Sequence, residues 1–322
     1  KGFTGLKLKS KLKGVELNLP SPLAKTMPQE VDFETSVQIK DGLILKLSYD
    51  EKVNLAMQFD EGKLSAGQVY LGKTEAYIPS SPGLIVQGHI ENVNVNDWLN
   101  VWQGIEALDK TYGSTGKEGN NPLQKVSLSS DEIHYNDFIF KHVKSEVSVS
   151  GTQWNINVNS PLITGDVVYE KGKAIEADLK YLHWPMLIKD QEESDVDPLQ
   201  DVDPSSIPAL NLSVAEVFVG PTNYGRWKFK IAPNEQGIAI NDIDGEIKKL
   251  KVKGDINWLK NSQAIANQET RLNLTLSSDD VGGIQKSWHK KPAVEAEYLN
   301  AKLSVNWLAS PAQFELETLL GT

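Results

Sequence analysis

Apolar and polar residues alternate with a period of two along most of this chain. Val143-x-Ser145-x-Val147-x-Val149 is one run, and Trp154-x-Ile156-x-Val158 follows it. Leu210-x-Leu212-x-Val214, Trp227-x-Phe229-x-Ile231, Leu272-x-Leu274-x-Leu276 and Leu303-x-Val305-x-Trp307 repeat the pattern. Side chains on a strand point to opposite faces in turn, so each run makes a strand with one apolar and one polar face. Turn-forming dipeptides punctuate the runs: Asp41-Gly42, Glu61-Gly62, Lys171-Gly172, Gln236-Gly237 and Asp244-Gly245. Parallel pairs need long crossovers, and most strands have no helix between them, so the pattern predicts a long antiparallel meander.

Two segments break the alternation. Trp98, Val101, Trp102, Ile105 and Leu108 recur at helical spacing, which predicts a helix near 97–112 with Asn96 or Asp97 as its cap. Val281, Ile284 and Trp288 predict a second near 278–290, with Lys286, His289 and Lys290 at the negative end of its dipole and Pro292 ending it. Gly113–Pro122, Lys189–Pro208 and Asn261–Thr270 read as loops. These breaks suggest β modules at 1–120, 121–203 (ending in the acidic loop) and 204–322, joined in one sheet. A faint repeat supports stacked modules: Val126-Ser-Leu128-Ser129 resembles Leu210-Asn-Leu212-Ser213, Trp154-Asn-Ile156-Asn157 parallels Ile238-Ala-Ile240-Asn241, and Thr164-Gly165-Asp166-Val167 resembles Lys253-Gly254-Asp255-Ile256.

Several functions are excluded or unsupported. The net charge of −10 gives no global attraction to phosphate, so nucleic acid is not an expected partner. No cysteine is present, which removes disulfides, thiolate metal sites and a Cys nucleophile. No stretch reaches the ~20 apolar residues of a membrane span. The chain begins at Lys1 and reads as a section of a longer protein, with any anchor lying outside it. Gly113-Ser-Thr-Gly116-Lys117 lacks the spacing and the Ser/Thr of a phosphate-binding loop. The acids Asp190, Glu192, Glu193, Asp195, Asp197, Asp201 and Asp203 lack the turn glycine and closing Glu of an EF-hand, so they read as a solvated charge run. His89, His134, His142, His183 and His289 form no HxH or HxxxH pair, and no GxSxG surrounds any serine. Asp242 and Asp244 could be paired carboxylates, but they flank the Asp244-Gly245 turn, and a hairpin explains them. No cofactor, metal or catalytic residue is expected.

Where the apolar faces go is the open question. Two packed sheets would make a sandwich; one curled sheet would leave an open apolar trough, most naturally for lipid chains. Trp154, Trp227, Trp258 and Trp307 fit a packed core or a wall facing an apolar ligand equally well. For a trough, the lining candidates are one strand face: Val147, Trp154, Ile156, Val158, Leu210, Leu212, Val214, Trp227, Phe229, Ile231, Leu272, Leu274, Leu276, Leu303, Val305 and Trp307.

The segment Leu6–Lys25, LKLKSKLKGVELNLPSPLAK, resembles a signature of the YhdP-type proteins of the AsmA-like superfamily. Gly83-Leu-Ile-Val-Gln-Gly-His-Ile90 leading to Asp97-Trp98 is similar to that family's Gly–strand–Trp–helix passage. Trp154-Asn-Ile-Asn-Val-x-Ser160, Asp203-Pro204 with Pro208-Ala-Leu210, Tyr224-Gly225-x-Trp227-x-Phe229 and Leu303-x-Val305-x-Trp307-Leu-Ala-Ser-Pro311 continue the likeness in family order along the whole chain. The resemblance implies a U-shaped antiparallel sheet with a lipid-lined groove, in the periplasmic body of an inner-membrane-anchored protein of a diderm bacterium. It implies phospholipid carriage between inner and outer membrane, with acyl chains, the anchor and other envelope proteins as partners. Two alternatives remain: a non-enzymatic structural or interaction module of the envelope, favoured by a closed sandwich, and a polysaccharide-binding or hydrolysing β protein, favoured by exposed aromatics beside two carboxylates in a cleft.

Overall fold

The computed structural model describes residues 5–39, 42–101, 122–135, 138–184, 199, 201–261, 267–287 and 296–313. The chain forms two compact units, Lys1–Pro161 and Leu162–Thr322. Both are mainly β.

The first unit contains β1 (Gly5–Ser10), β2 (Phe33–Ile39), β3 (Leu43–Tyr49), β4 (Val53–Asp60), β5 (Lys63–Leu71), β6 (Gly83–Asn94), β7 (Leu123–Tyr135), β8 (Phe138–Ser150) and β9 (Gln153–Asn159). Residues 95–101 form α1. Each strand pairs with its sequence neighbour. The second unit contains β10 (Ile163–Glu170), β11 (Ile175–Trp184), β12 (Leu210–Val219), β13 (Thr222–Asn223), β14 (Arg226–Asn234), β15 (Gly237–Ile247), β16 (Leu250–Lys260), β17 (Gln268–Ser278), α2 (Val281–Ser287) and β18 (Leu299–Trp307), with a 3-10 turn at Pro204–Ser206. Its strands also pair in chain order, β14 reaching past the short β13 to β12.

The meander is not wholly antiparallel. β5–β6, β6–β7 and β11–β12 are parallel. Each parallel step follows a long connection, as the geometry of parallel strands demands. The connection at 72–82 carries no helix, which is why alternation alone did not disclose it. It lies on the polar face: Tyr77 N donates to Gln68 Oε1 at 3.0 Å, Gln68 Nε2 donates to Gln87 Oε1 at 2.8 Å, and Asn54 Nδ2 donates to the Gly72 carbonyl at 2.8 Å. Gln68 is thereby satisfied although buried.

Turn chemistry corrects two expectations. Glu61 and Gly62, at φ +49° and +77°, make the two-residue turn between β4 and β5 that their sequence predicts. The pair Asp244-Gly245 is not a turn; both residues lie inside β15. The turn is Lys248–Lys249, at φ +47° and +71°. Gly245 is required for another reason: a Cβ there would sit 2.6 Å from the indole of Trp227, its partner on β14. Likewise Glu235–Gln236 forms the β14–β15 turn and Gly237 opens the strand. Asp41 and the loop Gly113–Asn121 lie outside the described residues.

The helix ends follow ordinary capping. Asn94 Oδ1 accepts from the backbone N–H of Asn96 at 3.1 Å and of Asp97 at 3.3 Å, so the cap of α1 is Asn94 rather than the expected Asn96 or Asp97. Trp102, Ile105 and Leu108 lie outside the described residues. Asp280 Oδ1 accepts from Gly283 N at 2.7 Å at the start of α2. Trp288, His289, Lys290 and Pro292 lie beyond its described part.

Glycines inside strands bring neighbouring backbones together. Gly254 has φ +150°, and a Cβ there would lie 1.9 Å from the Asn273 carbonyl oxygen. Gly165, its counterpart in the sequence repeat, has φ +158° and the same obstruction from Asp178. Gly254→Val is expected to destabilise the chain by roughly 3 kcal/mol or more, since it adds backbone strain to a backbone clash. Gly62→Ala, at positive φ but with open space around it, is expected to cost about 1 kcal/mol. Urea denaturation of the two variants checks the ordering.

Candidate functional site

The registers align the apolar residues into rows. In the first unit one row runs Leu8, Thr35, Leu47, Leu55, Val69, Val86, Val126, Val147, Ile156, one residue from each strand. With inter-strand steps of ~4.8 Å it spans roughly 38 Å. Val158 follows on the next row opposite Ser145, and Trp154 flanks on the other side opposite Val149. In the second unit Leu210, Ile231, Ile240, Ile256, Leu272 and Val305 share a row. Leu212, Phe229, Gly254, Leu274 and Leu303 run beside it, with Phe229 at a bulge. Val214, Trp227, Gly245, Val252 and Leu276 run beside that. Thus the residues singled out from the sequence lie on one face within each unit.

Exposure shows how these faces are used. In a closed sandwich the middle of the inner face is the driest part. Here the middle rows are half-buried: Leu47, Leu55, Val69, Val86, Val126 and Val147 in the first unit, and Leu212, Ile231, Ile256, Leu272 and Val305 in the second. Leu8 and Leu303 are 51% and 43% exposed. Full burial occurs in patches: at Leu179, Val214 and Ile243 within the strands of the second unit, at Val143 within β8, and beneath the short segments that fold over the sheet.

The cap in the second unit is dense. Ile238, Trp258, Thr270 and Trp307 are buried. Trp258 Nε1 donates to Gln268 Oε1 at 3.0 Å, and Gln268 Nε2 donates to the Leu199 and Val202 carbonyls at 2.9 and 3.0 Å. Thr270 Oγ1 donates to the Ala309 carbonyl and Trp307 Nε1 to the Ser310 carbonyl, both at 2.8 Å. The stretch Asn261–Thr270, which reads as a loop, ends in strand from Gln268; Gln268 and Thr270 are buried there, where their side chains donate to the capping carbonyls. Trp258 and Trp307 serve this packing, whereas Trp154 and Trp227 stay half-buried on the face.

The cap in the first unit is hollow. Tyr49 Oη donates to the Leu23 carbonyl and Trp98 Nε1 to the Ser21 carbonyl, each at 3.2 Å. Lys25, 2% exposed, donates to the Val15 and Thr26 carbonyls at 2.7 and 3.0 Å. Beneath lies a cavity of about 330 Å³ walled by Pro22, Leu23, Leu71, Ile90, Val93, Trp98, Leu128, Ile133 and Val143, with Ser129, Ser130 and Ser145 beside them. No periodicity pointed to it, because its walls come from Pro22–Leu23 and from β5, β6, α1, β7 and β8.

The opposite faces are charged. Glu34 pairs with Lys7 and Lys9, and its carboxyl is held below the usual range by their ammonium groups. Asp242 pairs with Lys230 at 2.7 Å, and Asp244 with Arg226 at 3.1 Å. The two carboxylates are thus taken by cations rather than by a turn. These exposed pairs each contribute little to stability. Among the described residues no cluster of His, Asp and Glu could hold a metal ion. The structure does bring one Ser–His–Asp set together: His89 Nδ1 lies 3.0 Å from Ser129 Oγ, and His89 Nε2 lies 3.3 Å from Asp131. His89 and Asp131 are about half exposed, on strands whose backbone groups serve the sheet. Nothing desolvates the set, so it reads as a cross-strand polar contact.

The model of the YhdP protein family matches residues 2–322. A mainly β protein whose units each carry an apolar strand face is the class the fold defines. The chain belongs to the YhdP family. No curated protein and no solved structure matches it. No helix among the described residues is long and apolar enough to cross a membrane.

Asp203 fixes the cap of the second unit. Its carboxylate accepts from Lys260 Nζ at 2.8 Å and from Ser205 N at 2.9 Å. The Lys260 bond, then the Ser205 hydroxyl, lower its carboxyl from 3.8 to about 2. A depressed carboxyl contributes stability above its unfolded value and loses it as pH falls through the folded one. Acidification from 3.8 to about 2 is therefore expected to loosen this cap and shift Trp258 emission. Asp203→Asn is expected to lose that portion of the change in an acid titration followed by fluorescence.

Proposed function

We propose that this chain is a periplasmic section of a bridge-like lipid carrier, conducting phospholipid between inner and outer membrane along its apolar face. The observation that carries this reading is the half-open apolar middle of each unit. An unlayered apolar surface is unstable against water unless something apolar covers it. Exposing each acyl methylene costs about 0.8 kcal/mol, so a bare two-chain lipid crossing water faces a barrier of tens of kcal/mol. An aliphatic row removes that cost, and sliding exchanges one apolar contact for another of similar worth. The headgroup stays in water at the open side. The chain itself is non-enzymatic and needs no cofactor; an inner-membrane anchor and other envelope proteins are its partners in the cell.

The competing reading, a closed structural or interaction module, requires the middle rows to be buried against a second layer. Most of them are half-buried instead, with Val214 and Ile243 the buried exceptions. The polysaccharide reading requires free paired carboxylates beside aromatics, and Asp242 and Asp244 are bound to Lys230 and Arg226 on the polar faces.

A charged residue in the middle of the face is expected to block passage. Leu274→Asp and Val126→Asp should each lower co-purified phospholipid, measured by mass spectrometry, by roughly tenfold or more, given the cost of placing a carboxylate against hydrocarbon. Photocrosslinkers at Leu212 and Leu272 should capture lipid, while one at Lys228 on the other face should not. Equal capture at all three positions sinks the reading.

A further inference from the structure

The two capped ends differ, and the hollow one has the features of a separate binding site. We propose that the cavity in the first unit is a seat for the end of a single acyl chain, closed by a strap formed by Pro20–Lys25 and latched by Trp98. This rests on the lipid reading above and adds a defined station to it.

The chemistry of the walls selects the occupant. Leu23, Leu71, Trp98, Leu128, Ile133 and Val143 present carbon to the space, and no charged side chain borders it. The most buried hydroxyl beside them, that of Ser130, donates to the backbone, with the Glu132 carbonyl at 3.0 Å. A headgroup therefore finds no partner inside and stays out. At about 330 Å³ the space sits at the small end of the ~300–1,000 Å³ range of ligand cavities, enough for one chain end and too little for two chains. It is also continuous with the open face: Leu71 and Leu128 lie in the same register row, one row from Val69, Val86 and Val126. A chain can pass from the face into the seat without crossing water.

The closure is light. Two hydrogen bonds to strap carbonyls, from Trp98 Nε1 and Tyr49 Oη, hold it across the sheet. Lys25 anchors its base through backbone carbonyls. In the second unit the side chains under the capping segment are packed instead, with Trp258 and Trp307 buried and hydrogen-bonded there.

Tryptophan quenching tests this, because Trp98 is a wall of the seat. The complete 322-residue chain is titrated with dibromostearate, and in a second arm with vesicles of a brominated-chain phosphatidylglycerol. Quenching of wild type is expected to contain one saturable component that Trp98→Phe lacks. Val143→Phe and Leu128→Phe, which fill the seat, are expected to weaken that component roughly tenfold, the equivalent of ~1.4 kcal/mol. Lys228→Ala, on the polar face of the other unit, should leave it unchanged. Leu128→Ala, which enlarges the seat, should admit a methyl-branched acid that wild type rejects. The component appearing in the vesicle arm identifies the chain as a phospholipid's; in the free-acid arm alone it identifies a single-chain lipid. Quenching that persists equally in the Trp98 and filling variants, with unchanged chain selectivity in Leu128→Ala, overturns the seat and leaves the open-face reading intact. No quenching of any tryptophan in wild type overturns both.

Discussion

A sheet with one apolar face must hide that face or find it a partner, and every other feature here follows from how little of it is hidden. The backbone ladder holds the strands together along their edges, but it does nothing for side chains that point away from the sheet. Buried clusters form around Tyr49 and Val143 in one unit, and around Leu179, Val214, Ile238, Ile243, Trp258 and Trp307 in the other. These clusters act as the cores. Between them the aliphatic rows contribute only what neighbouring side chains shield from one another. The arrangement leaves much of the aliphatic face between the buried clusters only half covered.

The rows were legible in the sequence because a period of two survives almost any pairing. Once Leu272, Leu274 and Leu276 share a face, their partners Val305, Leu303 and Ala301 share it as well, whatever the register, provided that the register is in phase. Helix positions were legible for the same local reason. What could not be read was contact between distant segments. Asp203 looked like one more acid in a solvated run; it meets Lys260 only because the chain between them folds back across the sheet. Gln268 and Thr270 looked like loop residues because polarity marks loops on average, yet here polarity serves buried carbonyls. Gly245 beside Asp244 had the composition of a turn, and only its strand partner Trp227 explains the missing side chain. The parallel steps were hidden for a related reason: a crossover without a helix carries no periodicity of its own.

The capping segments connect structure to the proposed activity. Each is held by side-chain donors reaching backbone carbonyls, an arrangement that specifies position without a large buried area. In the first unit this leaves room below, and in the second tryptophans take the room away. Two of the passages that carry the family likeness, LPSPLAK and the Trp–x–x–Ser–Pro ending, fall on these two caps, while others such as Trp227-x-Phe229 fall on the rows.

The positive-φ glycines divide the labour further. Gly165 and Gly254 occupy corresponding places in the sequence repeat, and each lets one strand press on the next where no side chain fits. Strand contact and surface chemistry therefore rest on different residues: the first on glycines where a Cβ would meet the neighbouring backbone, the second on a mixture of Leu, Ile, Val and Phe.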